Sequence, residues 1–296
     1  MGNPAIEPVI FLTLVRAERD VAGARTLIAS LRAFGGALAQ NPFWVFNACP
    51  AETVYRDLEA FGARVIPLNT PAPIRDYAFG DKVFACAQAE ALATPARTLV
   101  WIDPTCVVVN PPTLFDLGDA WSIAVRPVHI RNIGLRATDP LDLFWREIYA
   151  AVGIADVAAT VESFVDRQTL RAYFNSHAFA FDSAIGLARE WLARFTHLVG
   201  DSGFQAHACA DELHPIFLHQ AVYSALIAAR VPVARVRRLP PTYNYPYNLH
   251  ATIPADRRAR ALNDLVCFTY EERALEPARL TDIRVDEPLR TWLAAH

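Results

Sequence analysis

Arg97-Thr-Leu-Val-Trp-Ile-Asp-Pro-Thr-Cys-Val-Val-Val-Asn-Pro-Pro112 is the reference point for the rest of the chain. Thr98 to Ile102 is β-branched or large and apolar with no polar alternation, the pattern of a strand buried on both faces. Asp103 interrupts the run, and Pro104 behind it holds the aspartate extended at the strand end. A second apolar run, Cys106 to Val109, is closed by Pro111-Pro112, which cannot donate to a ladder. A carboxylate at the carboxyl end of a central strand stands where open α/β sheets place their ligand crevice. A carboxylate that only caps a turn would leave the same pattern.

Working outward, Val9 to Val15 is another buried strand. Asp20 is placed to cap a helix whose apolar positions run from Val21 to Phe34, with Gly35-Gly36 as its stop. Phe43 to Phe46 and Arg64 to Ile66 are strands separated by a helix over 52–61. This alternation predicts right-handed parallel crossovers and an open, mostly parallel α/β sheet flanked by helices. A helix over 81–93 precedes the reference strand. Downstream, 121–125, 173–181, 231–236 and 265–268 read as strands, and 141–152, 161–172, 183–198 and 289–293 as helices. A further helix is entered through Pro215 at its first position. The segment 126–136 is a basic loop carrying Arg126, His129, Arg131 and Arg136. No repeat, low-complexity tract or long linker divides the 296 residues.

Bulk properties narrow the function. A net charge of −3 offers no basic field for nucleic acid. Lys82 is the only lysine in the chain. Five scattered cysteines without a C-x-x-C pair indicate neither a disulfide framework nor a zinc ribbon. The first eight residues lack the basic region of a signal peptide, and no apolar run is long enough for an integral membrane segment. The expectation is a soluble, cytoplasmic protein.

Four landmarks occur in a telling order: the β/α/β opening; Lys82 on the helix before Val100-Trp-Ile-Asp-Pro-Thr105; Tyr173-Phe-Asn-Ser-His-Ala-Phe-Ala-Phe181; and Leu218-His-Gln-Ala-Val-Tyr-Ser-Ala-Leu226 followed by Leu239-Pro-Pro-Thr-Tyr-Asn244. Over roughly residues 8–270 this order resembles the GT-A nucleotide-diphospho-sugar glycosyltransferases of the glycogenin and lipopolysaccharide galactosyltransferase type. The resemblance implies a single GT-A-like domain over 1–296, with a nucleotide-binding half (1–112), an acceptor and sugar half (113–270) and a carboxy-terminal tail (271–296). It implies transfer of a sugar from a nucleotide-diphosphate donor to an unknown acceptor. The family's D-x-D carboxylates and a late-strand histidine hold a divalent cation that neutralises the diphosphate. Here the first carboxylate is Asp103, the second position is Thr105, and Leu265 to Tyr270 contains no histidine. The motif is degenerate, and the expectation is weakly bound Mn or Mg through Asp103, or no metal.

Without a metal the diphosphate would need basic side chains. Lys82, in the first helical turn, and Arg16, past strand one, are the candidates beside Asp103 and Thr105, with the arginines of 126–136 as further phosphate partners or a solvated face. Asn175 matches a sugar-contacting asparagine. Ser176 and His177 stand where the family has a small residue and glycine, so His177 is an acid/base group, a phosphate donor or a packed histidine. Gln220, Tyr243 and Asn244 are the other sugar-pocket candidates. Asp211 or Glu212 is the candidate base for an inverting transfer. The histidines at 207, 214 and 219 lack zinc-protease spacing. The rival reading is a degenerate relative that keeps the fold and serves as a binding or scaffold protein. A nucleotidyltransferase is disfavoured because no glycine-rich loop follows strand one.

Overall fold

Every residue of the first strand, β1 (Val9–Val15), is buried, as a run of β-branched and large apolar side chains in the middle of a sheet requires. The computed structural model describes residues 9–49, 52–93 and 97–296; the amino-terminal stretch read for a leader lies outside them. In chain order follow α1 (Arg19–Phe34), β2 (Phe43–Asn47), α2 (Glu52–Glu59), β3 (Ala63–Pro67), α3 (Ala72–Arg75), α4 (Gly80–Leu92), β4 (Thr98–Ile102), β5 (Cys106–Val108), β6 (Ile123–Val125), α5 (Leu143–Val152), β7 (Thr160–Glu162), β8 (Thr169–Arg171), β9 (Ala178–Asp182), α6 (Leu187–Gly200), α7 (Ser202–Ala208), α8 (Leu213–Arg230), β10 (Val236–Arg238), β11 (Tyr245–Pro246), β12 (Cys267–Thr269) and α9 (Leu289–Ala295).

The main sheet has seven strands in the order β10-β6-β9-β4-β1-β2-β3. It is parallel except for β9, which runs antiparallel to both β4 and β6. One face is covered by α1, whose Val21, Leu27 and Leu31 pack with Phe11, Val45 and Ile102. The other face is covered by α4, α6 and α8, where Val83, Trp191 and Tyr223 meet Leu12, Trp44 and Trp101. A smaller sheet, β11-β12-β5, joins a third core in which Val107 and Phe268 pack with Leu289 and Leu293 of α9. Among the described residues no helix is long and apolar enough to cross a membrane.

Two close approaches aim the site. Gly23 lets α1 lie against the turn after β4: a Cβ there would stand 2.7 Å from the Pro104 carbonyl oxygen. Gly80 opens α4 directly beneath α3, where a Cβ would meet the Ile74 carbonyl oxygen at 1.8 Å. No real side chain fits either gap, so both helices are docked through glycine.

The second half departs from expectation in five places. The span 161–172 is a hairpin, not a helix: Val161 and Leu170 are the buried members of exposed-buried alternations, and Arg167 turns the chain at φ +53°. Phe164 and Val165 sit at helical spacing from Val161, which mimicked the longer period. The strand expected from Tyr173 begins only at Ala178, leaving Asn175 to His177 as a bent lead-in. α7 is an additional helix between the two expected at 183–198 and from Pro215, and α8 starts two residues before Pro215. The strand placed at 231–236 starts at Val236. Asp20 is not the cap of α1 but lies in its first turn, accepting from the Arg16 and Ala17 amides at 2.9 and 3.0 Å.

Candidate active site

β4 ends at Ile102, and Asp103 follows with its backbone N–H donating to the His177 carbonyl oxygen at 2.8 Å. One bond thus ties the end of β4 to the lead-in of β9 and brings residues 74 positions apart into one wall. The Asp103 carboxylate is held from both sides: Lys82 Nζ donates to Oδ2 at 2.8 Å and the Trp101 indole N–H to Oδ1 at 2.7 Å. Lys82 is only 3% exposed. Its ammonium also donates to the Ser176 carbonyl oxygen at 3.2 Å and lies 5.0 Å from the Phe79 ring centroid and 5.6 Å from that of Trp101. A buried cation needs such partners. Lys82 is therefore not a solvated surface lysine. An ammonium has three N–H groups; two are committed within the protein.

A cleft of about 860 Å³ opens over this pair, lined by Lys82, Asp103, Thr105 and Arg16 as expected, and by Arg273 and Glu271. A deeper chamber of about 300 Å³ shares Lys82, His177, Asn248 and Glu271 with the cleft and adds Asn175, Ser176 and Gln220. Residues of β1, α4, β4, the lead-in to β9, α8 and the loop after β12 all reach this place.

Hydrogen bonds fix the chamber wall. The Asn175 side-chain oxygen accepts from the His177 backbone N–H at 2.7 Å, the Asn244 amide at 2.7 Å and the His177 ring Nδ1 at 3.0 Å. Because an amide oxygen only accepts, Nδ1 carries the proton, and Nε2 of the uncharged ring presents a lone pair. That nitrogen stands 3.9 Å from Asp103 Oδ2 and 3.6 Å from Glu271 Oε1. Desolvation by the cleft walls holds the His177 imidazole below its ordinary pKa, Lys82 pushing the same way and Asp103 and Glu271 opposing. Gln220 accepts from the Ser176 backbone N–H at 3.2 Å and from its hydroxyl at 3.3 Å. His219 packs its ring on Phe79 with centroids 4.3 Å apart, and burial keeps it uncharged.

Residues 11–228, well over half of the chain, match the Rhodobacterales glycosyltransferase domain family. The chain belongs to that family. Among solved structures, the galactosyltransferase LgtC, crystallised with donor and acceptor sugar analogues, is 14% identical and aligns over 97% of this chain and 95% of its own, with a TM-score of 0.56. The bifunctional glycosyltransferase WbbM is 12% identical over 99% of this chain and 52% of its own, at 0.55. Core-mannan synthase A from Aspergillus fumigatus, in a Mn/GDP form, is 13% identical over 80% and 73%, at 0.50. These likenesses establish the GT-A fold expected from the sequence. No curated protein sequence matches this chain.

This glycosyltransferase does not bring every candidate to the cleft. Asp211 caps α8, accepting from the Leu213 and His214 amides at 2.8 and 2.9 Å, and lies in a separate depression with His207 and His214. Glu212 precedes the same helix and is exposed. Neither lines the cleft or the chamber, so neither is placed to act as a base there. Tyr243 is buried, its hydroxyl accepting from the Leu114 amide at 2.9 Å. Asn244 is fully buried and acts on Asn175 instead of a ligand, steadied by the Thr269 hydroxyl. In the basic loop, Arg126 is buried and donates to the Tyr243 and Asn244 carbonyl oxygens, and Arg136 donates to Gln168. Asn248, Glu271 and Arg273, which also line the cleft, were not singled out by the sequence.

Proposed function

We propose that this protein transfers a glycosyl group from a nucleoside-diphosphate sugar to an acceptor, with the diphosphate balanced by side chains and not by a dedicated divalent cation. The observation that carries the reading is the Lys82–Asp103 pair in the larger chamber, with Lys82 also lining the smaller one. Their volumes lie within the range of about 300–1,000 Å³ typical of ligand sites. The nucleotide fits the cleft, the diphosphate meets the remaining N–H of Lys82 with Arg16 and Arg273 nearby, and the sugar enters the chamber beside Asn175, Ser176 and Gln220.

The residues present do not suit the family's hard cation. One carboxylate oxygen of Asp103 already bonds an ammonium and the other an indole N–H. Thr105 is neutral, and among the described residues no group of three or more His, Cys, Asp or Glu is placed to hold a metal. Lys82 places a fixed positive charge on the cleft wall, beside Asp103.

His177 is the residue placed for proton transfer. An acceptor hydroxyl approaching Nε2 gives up its proton to that lone pair while its oxygen bonds the anomeric carbon. The bond from that carbon to the phosphate oxygen breaks, and its electron pair leaves on the nucleoside diphosphate. Positioned general bases contribute about 10²–10⁴-fold. The test is release of nucleoside diphosphate from UDP- and GDP-sugars, followed chromatographically. The wild type should turn over at least one donor, and His177→Ala should lose about 10²–10⁴-fold. Absence of both turnover and nucleotide binding would favour a scaffold role.

A further inference from the structure

His129 follows β6 in a loop that lines the smaller chamber. It is 8% exposed, yet neither ring nitrogen has a hydrogen-bond partner among the described residues. Other buried imidazoles in the fold are satisfied: His219 bonds Ser176 and the Ile216 carbonyl, and His250 bonds Tyr245 and the Asp282 carbonyl. An unpaired buried donor and acceptor in one ring is costly, and a hydrogen-bonding partner brought by a ligand would offset that cost. The backbone that carries the ring is fixed. The carbonyl of His129 accepts from the Val165 amide at 2.7 Å, the carbonyl of Val128 from the Phe164 amide at 3.1 Å, and Pro127 bridges to Phe174. Its plane lies nearly parallel to the His177 ring at 6.2 Å between centroids.

The ring's neighbours decide what it can bind. Burial, the Arg126 guanidinium and His177 all keep it uncharged. A neutral imidazole offers one N–H and one lone pair, the same complement a hydroxyl offers in return, and it cannot balance a carboxylate.

Building on the transferase reading, we propose that His129 is a specificity-determining residue, which reads a hydroxyl of an uncharged glycosyl group held in the smaller chamber. The test compares affinity for UDP and GDP with affinity for UDP-glucose, UDP-galactose, UDP-N-acetylglucosamine, GDP-mannose and UDP-glucuronate by calorimetry, in the wild type, His129→Leu and His129→Gln. One uncharged sugar nucleotide should bind the wild type more tightly than its parent nucleotide. His129→Leu should lose about tenfold of that gain, the worth of one hydrogen bond, while the parent nucleotide binds as before, which also shows that the variant is folded. His129→Gln, which keeps a donor and an acceptor, should recover part of it. A gain unchanged in His129→Leu, no gain from any sugar, or a gain confined to the glucuronate would overturn the proposal and leave the transferase reading standing. Failure of the wild type to bind any nucleotide or nucleotide sugar would overturn both.

Discussion

Lys82 and Asp103 are side chains that the interior would reject singly and keeps as a pair. Removing one member of a buried ion pair strands the other and costs about 3–5 kcal/mol, whereas removing both charges is far milder. Lys82→Met should therefore lower unfolding stability by about 3–5 kcal/mol in urea, and Lys82→Met with Asp103→Asn should lose clearly less than the sum of the single changes. Strict additivity would mean the two side chains do not depend on each other. The pair was half legible in the sequence. An aspartate before proline at the end of a buried strand, and the chain's only lysine one helix earlier, pointed to one place, but the burial of the ammonium depends on Phe79, Trp101 and Ser176 arriving from three directions. Asp211 misled for a related reason: a carboxylate beside histidines in sequence served the local need of a helix start. His129 left no signal, since an unpartnered ring is a property of the assembled chamber.

At the level of elements, the first half followed its pattern closely because each strand there is buried on both faces and each helix presents one apolar stripe. The second half mixes short antiparallel strands with bends, where three or four apolar residues fit either period; residues 161–172 are the example. Element placement also carries the site. α4 delivers Lys82 only because Gly80 lets it touch α3. Gly80→Ala forces a Cβ against the Ile74 carbonyl oxygen and should cost about 1–3 kcal/mol, as overpacking does, with weaker nucleotide binding because Lys82 moves with the helix. A variant as stable as the wild type would show that the α3–α4 contact can relax freely.

Across the whole molecule, His129, His177, His219 and His250 come from four separate segments, and all are held below the ordinary histidine value of 6.5, burial being the first cause in each. A histidine whose folded pKa is depressed binds more protons when unfolded, so stability is full above the unfolded pKa and is lost as pH falls below it. Thermal melting should be nearly flat above about pH 6.5 and decline steadily towards about pH 5, before most carboxylates titrate. A Tm constant over that interval would contradict the buried, neutral assignment of these rings.

The central claim is that the Lys82 cleft receives a nucleoside diphosphate by side-chain charge. Calorimetric titration of the wild type with UDP and GDP in excess EDTA tests it most directly. The structure predicts saturable binding of at least one of them, unchanged when Mn replaces the chelator. Binding that appears only with Mn, or with neither condition, would contradict it.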